Sequence, residues 1–301
     1  MSLDLERAPS SEVAVLLDDE SFYYESLRND LDLPLIFQQR LWGLPRMGTP
    51  FDTYLLNDFI EGKLKPYKLY IFLNAFHLDA DRRERLKKEL RRDGRVALWI
   101  YAAGYLGSTA GQVGEQPGFS LDYMTDLTGF TFGKGDHPWG PMMNLLDFQH
   151  PITAGLSQDL FWGTNSLLGP VFHLADTGAR VLGNVVYSEG RCRPGLGVKE
   201  YPEWKSIYCA APNLPAGVLR GMARYAGVHL YSEAGDVLYA TPELLGVHTA
   251  GGGEREFSLP KTVEQVVELF SGEQVATDCD RFKVELTPAS TVLYYTGKRR
   301  L

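Results

Sequence analysis

The sequence predicts an α/β protein: a doubly wound, flavodoxin-like domain followed by a small antiparallel all-β domain. Three observations carry that expectation. Residues 69–73 and 96–101 are unbroken apolar runs rather than alternating ones, the pattern of strands covered on both faces in a parallel sheet. The charged stretch between them has Leu86 and Leu90 on one stripe, a capping-box pattern in Asp81 and Glu84, and Gly94 to end it, so it reads as a crossover helix. After Gly235 the text changes to short runs separated by frequent turns, which fits an antiparallel sandwich or barrel.

Taken in order, residues 1–12 are polar and read as a disordered or expression-derived start. The first strand, 13–17, begins so abruptly that the chain reads as a piece of a longer polypeptide. It ends in Asp18, Asp19 and Glu20, followed by Ser21. Acids at a strand's carboxyl end suit a polyol, a cation or a partner's basic groups; equally, Asp19 or Ser21 caps the next helix and the others are solvated. Tyr23, Leu27 and Leu31 recur at helical spacing and read as core. Pro34 is expected to break that helix, with Phe37, Leu41 and Leu44 defining a second amphipathic turn before Pro45. A turn at 48–50 leads into a second strand, 51–56, and right-handed crossovers complete the doubly wound pattern.

In such a sheet, ligands collect beyond the carboxyl ends of the strands. Asp18, Asp19, Asn74, His77, Ala103, Gly104 and Tyr105 are therefore the candidate crevice residues. A hydrolase or amidotransferase would hold a Cys or Ser on a sharp strand-to-helix turn here. Residues 101–107 contain neither, and their glycines follow no phosphate-binding pattern. No catalytic residue, metal or cofactor is predicted. The Gly-, Ser- and Gln-rich stretch 108–119 sits where a lid or binding loop would.

Ser120 caps a helix over 121–128 that Gly129 ends. Residues 134–163 read as irregular; His137 and His150, with Asp136 and Asp147, match no metal-ligand spacing. Strands are expected at 171–175, 180–186, 196–200 and 205–210, then a helix at 216–226. Glu189, Glu200 and Glu203, near Lys199 and Trp204, could pair as acid and base in glycoside hydrolysis, or simply decorate strand edges. The all-β part is expected to hold strands at 236–240, 244–249, 255–259, 263–270, 282–286 and 291–295, with His248 a packed or capping residue.

A net charge of −8, from 30 basic against 38 acidic residues, leaves no basic stripe for nucleic acid apart from a solvated helix around 82–92. No apolar run reaches membrane-spanning length and no signal peptide is visible. Three scattered cysteines suit a reducing, cytoplasmic setting.

Several passages, AVLLDDESFYY, WGLPRMGTPFDTYLLNDF, YKLYIFLNAFHL, GRVALWIYAAGYLG, AGVHLYSEAGDVLYA, and LLGVHTAGGGEREFSLP through STVLYY, together resemble the non-catalytic tail of bacterial family-42 β-galactosidases. The resemblance implies a class I glutamine-amidotransferase-like (trimerisation) domain at 13–235 and a β domain at 236–301, preceded in the parent by a TIM barrel that carries the catalytic glutamates. It implies an accessory and oligomerisation role, with a homo-trimer and carbohydrate as possible partners and Phe22, Tyr24, Trp42, Trp139 and Trp162 as interface candidates. A nucleophilic cysteine of the amidotransferase kind would fall near 102–104, where there is none. The alternative is a free-standing hydrolase or sugar-binding protein that uses the strand-end crevice.

Overall fold

The computed structural model describes residues 10–25, 31–107, 118–188 and 190–298. In chain order its strands begin with β1 (Val13–Leu17), β2 (Asp52–Leu55), β3 (Leu69–Phe72) and β4 (Arg95–Ile100). Two-residue β5 (Leu106–Gly107) and β6 (Gly118–Phe119) pair with each other. Then come β7 (Phe132–Gly135), β8 (Met142–Leu145), β9 (Phe161–Gly163), β10 (Val171–Leu174), β11 (Arg180–Tyr187), β12 (Arg191–Glu200) and β13 (Trp204–Cys209). The helices are α1 (Leu56–Ile60), α2 (Ala80–Leu90), α3 (Leu121–Thr128) and α4 (Ala216–Tyr225).

One mixed sheet of nine strands organises this part, in the order β2-β1-β3-β4-β13-β12-β11-β8-β9. The first five are mutually parallel and the rest antiparallel. The continuous apolar runs are its buried centre: Trp99 stacks on Phe72 with ring centroids 4.2 Å apart and donates its indole N–H to Ser206 Oγ across 3.1 Å. Of the segment expected to be irregular, β7, β8 and β9 are regular, and β8 and β9 form the far edge of the sheet. Short alternating pieces among Gly and Pro give too little periodicity to be read as strands.

Several local expectations are corrected. Order starts before residue 13, because Ser11 is buried and donates to Pro50 O across 3.0 Å, while Glu12 pairs with Lys68. Pro34 opens a helix instead of breaking one: Leu33–Gly43 is a π-helix with proline in its first turn, where a missing N–H costs nothing. Leu35, Ile36 and Gln39 face inward, and Phe37 and Leu41 face solvent, 60% and 66% exposed. Helix α2 is capped by Asp79, whose side chain accepts from Arg82 N, two residues before the expected Asp81. Arg82 and Arg83 are buried rather than solvated, whereas Arg85 on the same helix is exposed. By contrast α3 has the Ser120 cap and the left-handed Gly129 that its sequence requires.

The remaining strands, β14 (Val237–Ala240), β15 (Leu244–Thr249), β16 (Gly253–Glu268), β17 (Gln274–Leu286) and β18 (Ser290–Tyr295), make one antiparallel sheet in the order β14-β15-β18-β16-β17. The two strands expected at 255–259 and 263–270 are halves of β16, joined through a register shift between Ser258 and Val263 that carries Pro260. The sheet curls, so that Phe257 and Phe282 reach Tyr294 at ring distances of 5.9 and 5.1 Å around a second core.

Residues 229–232 run between the Gly48 turn and β16 and bond to both. Tyr231 N donates to Gly48 O (2.8 Å), Ser258 N donates to Tyr231 O (2.9 Å), and the Tyr231 ring belongs to the second core. At Gly48, φ is +94° and an added Cβ would lie 2.0 Å from Ser232 O, so only glycine fits.

Candidate functional site

The parallel strands run in the sequence order 2-1-3-4 and then β13, so the chain departs to opposite sides after β1, and the crevice opens between the carboxyl ends of β1 and β3. Two of the candidate residues meet at its base and are used up there. Asn74, fully buried, accepts from Asp18 N (2.8 Å) and donates to Asp18 O (2.9 Å), bolting the two strand ends together. The Asp18 carboxylate, also buried, accepts from Arg82 Nη2 at 2.6 Å, from Ser21 N at 3.1 Å and from the Ser21 hydroxyl. Neither Asp19 nor Ser21 caps the 3-10 turn Ser21–Tyr24; its N-cap position is Glu20, without a side-chain cap, and the first N–H of the turn goes to Asp18. Burial raises the Asp18 pKa above the ordinary value, with Arg82 opposing it.

Ser21 Oγ accepts from the backbone N–H of Phe76 (3.0 Å) and His77 (2.9 Å), which ties the start of the 3-10 turn to the end of β3. Arg82 reaches back from α2 and also donates to Glu20 (3.0 Å) and to His77 O (2.9 Å). The His77 ring stacks on Tyr24 at 4.2 Å; burial, and then Arg82, hold its pKa below the ordinary value. Asp19 is exposed. These contacts make a rigid shelf in which Arg82 answers both Asp18 and Glu20, and sequence reasoning missed its two central members, Ser21 and Arg82. The Asp18-to-Arg82 bond spans 64 residues, so no local pattern announces it.

The turn after β4 has its left-handed residue at Tyr101, with φ of +61°. That conformation costs a non-glycine residue of the order of 1–3 kcal/mol and marks the sharp strand-end position where a nucleophile is held in hydrolase elbows. Here the side chain is a buried phenol that donates to Pro170 O (2.8 Å), while Tyr208 OH donates to Tyr101 O (2.9 Å). Burial drives the Tyr101 pKa far up. The nearest strand-end thiol, Cys209, is fully buried and pushed up to about 12 by that burial. Neither group ionises near neutrality, so the turn offers shape without a nucleophile. Ala103 and Gly104 are packed beneath it, Gly104 N donating to Ala75 O across 2.7 Å.

Tyr105 alone among the sequence candidates lines the cavity of about 110 Å³ above the ends of β3 and β4, together with Phe76, Tyr101, Phe119, Phe172 and Glu25. The Tyr105 ring lies 4.8 Å from Phe172 and 5.5 Å from Phe119. Residues 108–117, most of the stretch expected as a lid or binding loop, lie outside the described residues. Of the other polar groups, Lys199 pairs with Asp176 (3.0 Å), Glu200 accepts from Tyr225, and Glu189 lies outside the described residues. His150 is buried, its Nδ1 accepting from Ile152 N, and His248 contacts Thr291 Oγ1 at 2.9 Å. No group of three or more His, Cys, Asp or Glu suited to a metal ion occurs among the described residues. Among the described residues no helix is long and apolar enough to cross a membrane.

No protein-family model and no curated protein matches the chain. Among solved structures it is similar to the β-galactosidase of Rahnella sp. R3 (13% identity, TM-score 0.60, covering 95% of this chain and 41% of that one). It is similar too to Gan42B, a GH42 β-galactosidase from G. stearothermophilus (16%, 0.59, 97% and 41%). A third is the β-galactosidase of the Antarctic haloarchaeon Halorubrum lacusprofundi (15%, 0.58, 97% and 40%). At these identities the likeness is one of fold alone. This chain, nearly end to end, spans about two-fifths of the length of those enzymes.

Proposed function

We propose that this chain is a non-catalytic accessory and assembly segment of a larger β-galactosidase-like glycoside hydrolase, acting in carbohydrate metabolism. The observation that carries the reading is the coverage: 95–97% of this chain matches only 40–41% of each β-galactosidase. The remainder of such a protein would hold the catalytic barrel. Residues 13–235 are read as the flavodoxin-like, amidotransferase-like domain and 236–301 as the β domain; the 2-1-3-4 strand order, followed by β13, and the two separate cores support this. The non-ionising Tyr101 at the elbow speaks against glutaminase chemistry. Association into a homo-trimer belongs to the same proposal. Its support is the exposed aromatic surface of Phe22, Tyr24, Trp42 and Trp139, although Trp162, expected to share it, is buried.

The test is an assay of the chain by itself on nitrophenyl β-galactosides and on glutamine, with the expected rate equal to that of buffer. Turnover that vanishes when one carboxylate, or the Tyr101 hydroxyl, is removed would overturn the accessory reading in favour of a free-standing enzyme.

A further inference from the structure

We propose that the aromatic cavity above the ends of β3 and β4 is a binding site for a small organic cation, an alkylated ammonium group, with Glu25 as its counter-ion. The walls are a chain of rings in which each meets the next edge-to-face or tilted: Phe76 to Tyr101 at 5.9 Å, Tyr101 to Phe172 at 5.3 Å, Phe172 to Tyr105 at 4.8 Å and Tyr105 to Phe119 at 5.5 Å. Aromatic faces beside a carboxylate are the surroundings that stabilise alkylammonium groups. Both Glu25 carboxylate oxygens are shielded from solvent, with the Asp32 carboxyl and the Asn74 amide as their polar neighbours.

Among the described residues no basic side chain is left to answer them. Arg82 is committed to Asp18, Glu20 and His77 O. Among the described residues, the charged and titratable groups around Glu25 are Asp32, Asp18, the phenols of Tyr24, Tyr101 and Tyr105, and His77 behind Tyr24. Apart from the Glu25 carboxyl, the Ser21 and Tyr101 hydroxyls at these walls are already bonded, so the several hydroxyls of a sugar find few partners. Ser21 Oγ bonds to Phe76 N, His77 N and Asp18, and Tyr101 OH bonds to Pro170 O. The volume of about 110 Å³ is well below the roughly 300–1,000 Å³ of drug-sized pockets, so the ligand is small.

Burial, and then Asp32 beside it, push Glu25 up to about 8. At lower pH the carboxyl holds a proton that an arriving cation must expel, so the affinity rises about tenfold per pH unit and levels off above about pH 8. The inference does not depend on the accessory reading, which concerns catalysis and assembly.

Calorimetric titration of the full chain with tetramethylammonium and with choline tests it, against 3,3-dimethylbutanol, the uncharged analogue of choline, and galactose. The expected result is binding of both cations, an affinity about tenfold higher at pH 7 than at pH 6, and loss of binding in Glu25→Gln with an unchanged melting profile at pH 6. In Asp32→Asn the levelling should move to lower pH, because one cause of the raised pKa is gone. Equal binding of the uncharged analogue, binding of galactose in place of the cations, or undiminished cation binding by Glu25→Gln would each overturn the proposal.

Discussion

Replacing Arg82 with Met keeps most of the side chain's bulk but removes the cation from a place with little water. Arg82 makes three charge-assisted bonds, to Asp18 at 2.6 Å, Glu20 at 3.0 Å and His77 O at 2.9 Å, and the Asp18 side chain it faces has no exposed surface. Breaking a buried pair by removing one partner costs about 3–5 kcal/mol, since the other charge is left uncompensated. At about 2–4 °C per kcal/mol for a domain of this size, the melting temperature should fall by about 6–20 °C.

The loss should also depend on pH in a defined direction. Burial already raises the folded-state pKa of Asp18 above 3.8, and Arg82 is the largest influence opposing that rise. Without Arg82 the rise is larger. A carboxyl with a raised folded-state pKa binds more protons folded than unfolded, so its stabilising effect is complete below the unfolded value and is lost as pH climbs through the folded one. The deficit of Arg82→Met should therefore be greater at pH 7 than at pH 4, and Asp18→Asn combined with Arg82→Met should recover about 2 kcal/mol relative to the sum of the single changes. Thermal and urea unfolding followed by the buried Trp99 would measure this. A deficit under about 1 kcal/mol, or one that is equal at both pH values, would refute the compensated-shelf reasoning.

Glu25 has the same sign: the wild type should lose stability as pH rises from the ordinary carboxyl range to about 8, and Glu25→Gln should flatten that slope in melting curves collected across it. Gly221→Ala places a Cβ 1.9 Å from Ile152 O, so α4 and the turn at 151–155 must move apart at a cost of about 1–3 kcal/mol or more, seen as a lower melting temperature or as insoluble protein. Tyr101→Phe removes the donor to Pro170 O and should cost about 1 kcal/mol without changing far-UV circular dichroism. If exposed aromatics drive assembly, sedimentation across a concentration series will show association that Trp42→Lys weakens; a strictly monomeric wild type would count against it.

What could be read from the sequence was what neighbouring residues decide. The Ser120 cap and the Gly129 stop of α3 are local hydrogen-bond and φ requirements, and the buried runs of β1, β3 and β4 are plain in composition. The π-helix was misread because Phe37 and Leu41, four apart, imitate a core stripe although they face solvent, while Leu44, read with them, is buried. The site was legible only as a location. Tyr105 reaches the cavity, but Phe172 comes from β10 and Glu25 from beyond the 3-10 turn, and neither carries a signal that links it to β4. Asp18 and Asn74 looked available because sequence shows that a side chain is polar without showing that it is already bonded.

The strip at 229–232 acts as a weld and not as a hinge. Its backbone is bonded to the Gly48 turn on one side and to β16 on the other, and Tyr231 is a core residue of the sheet that follows it. Ser10 adds a stitch to Ala240 O (3.1 Å) from the opposite end of the chain, and His229 Nε2 another to Ser258 O (2.9 Å). The β sheet therefore takes its orientation from the α/β sheet, and opening one core exposes residues that complete the other. A cut at residue 235 would leave Tyr231 without its pocket and the β sheet without a wall, so the two halves should melt in a single transition and should resist being exchanged as modules.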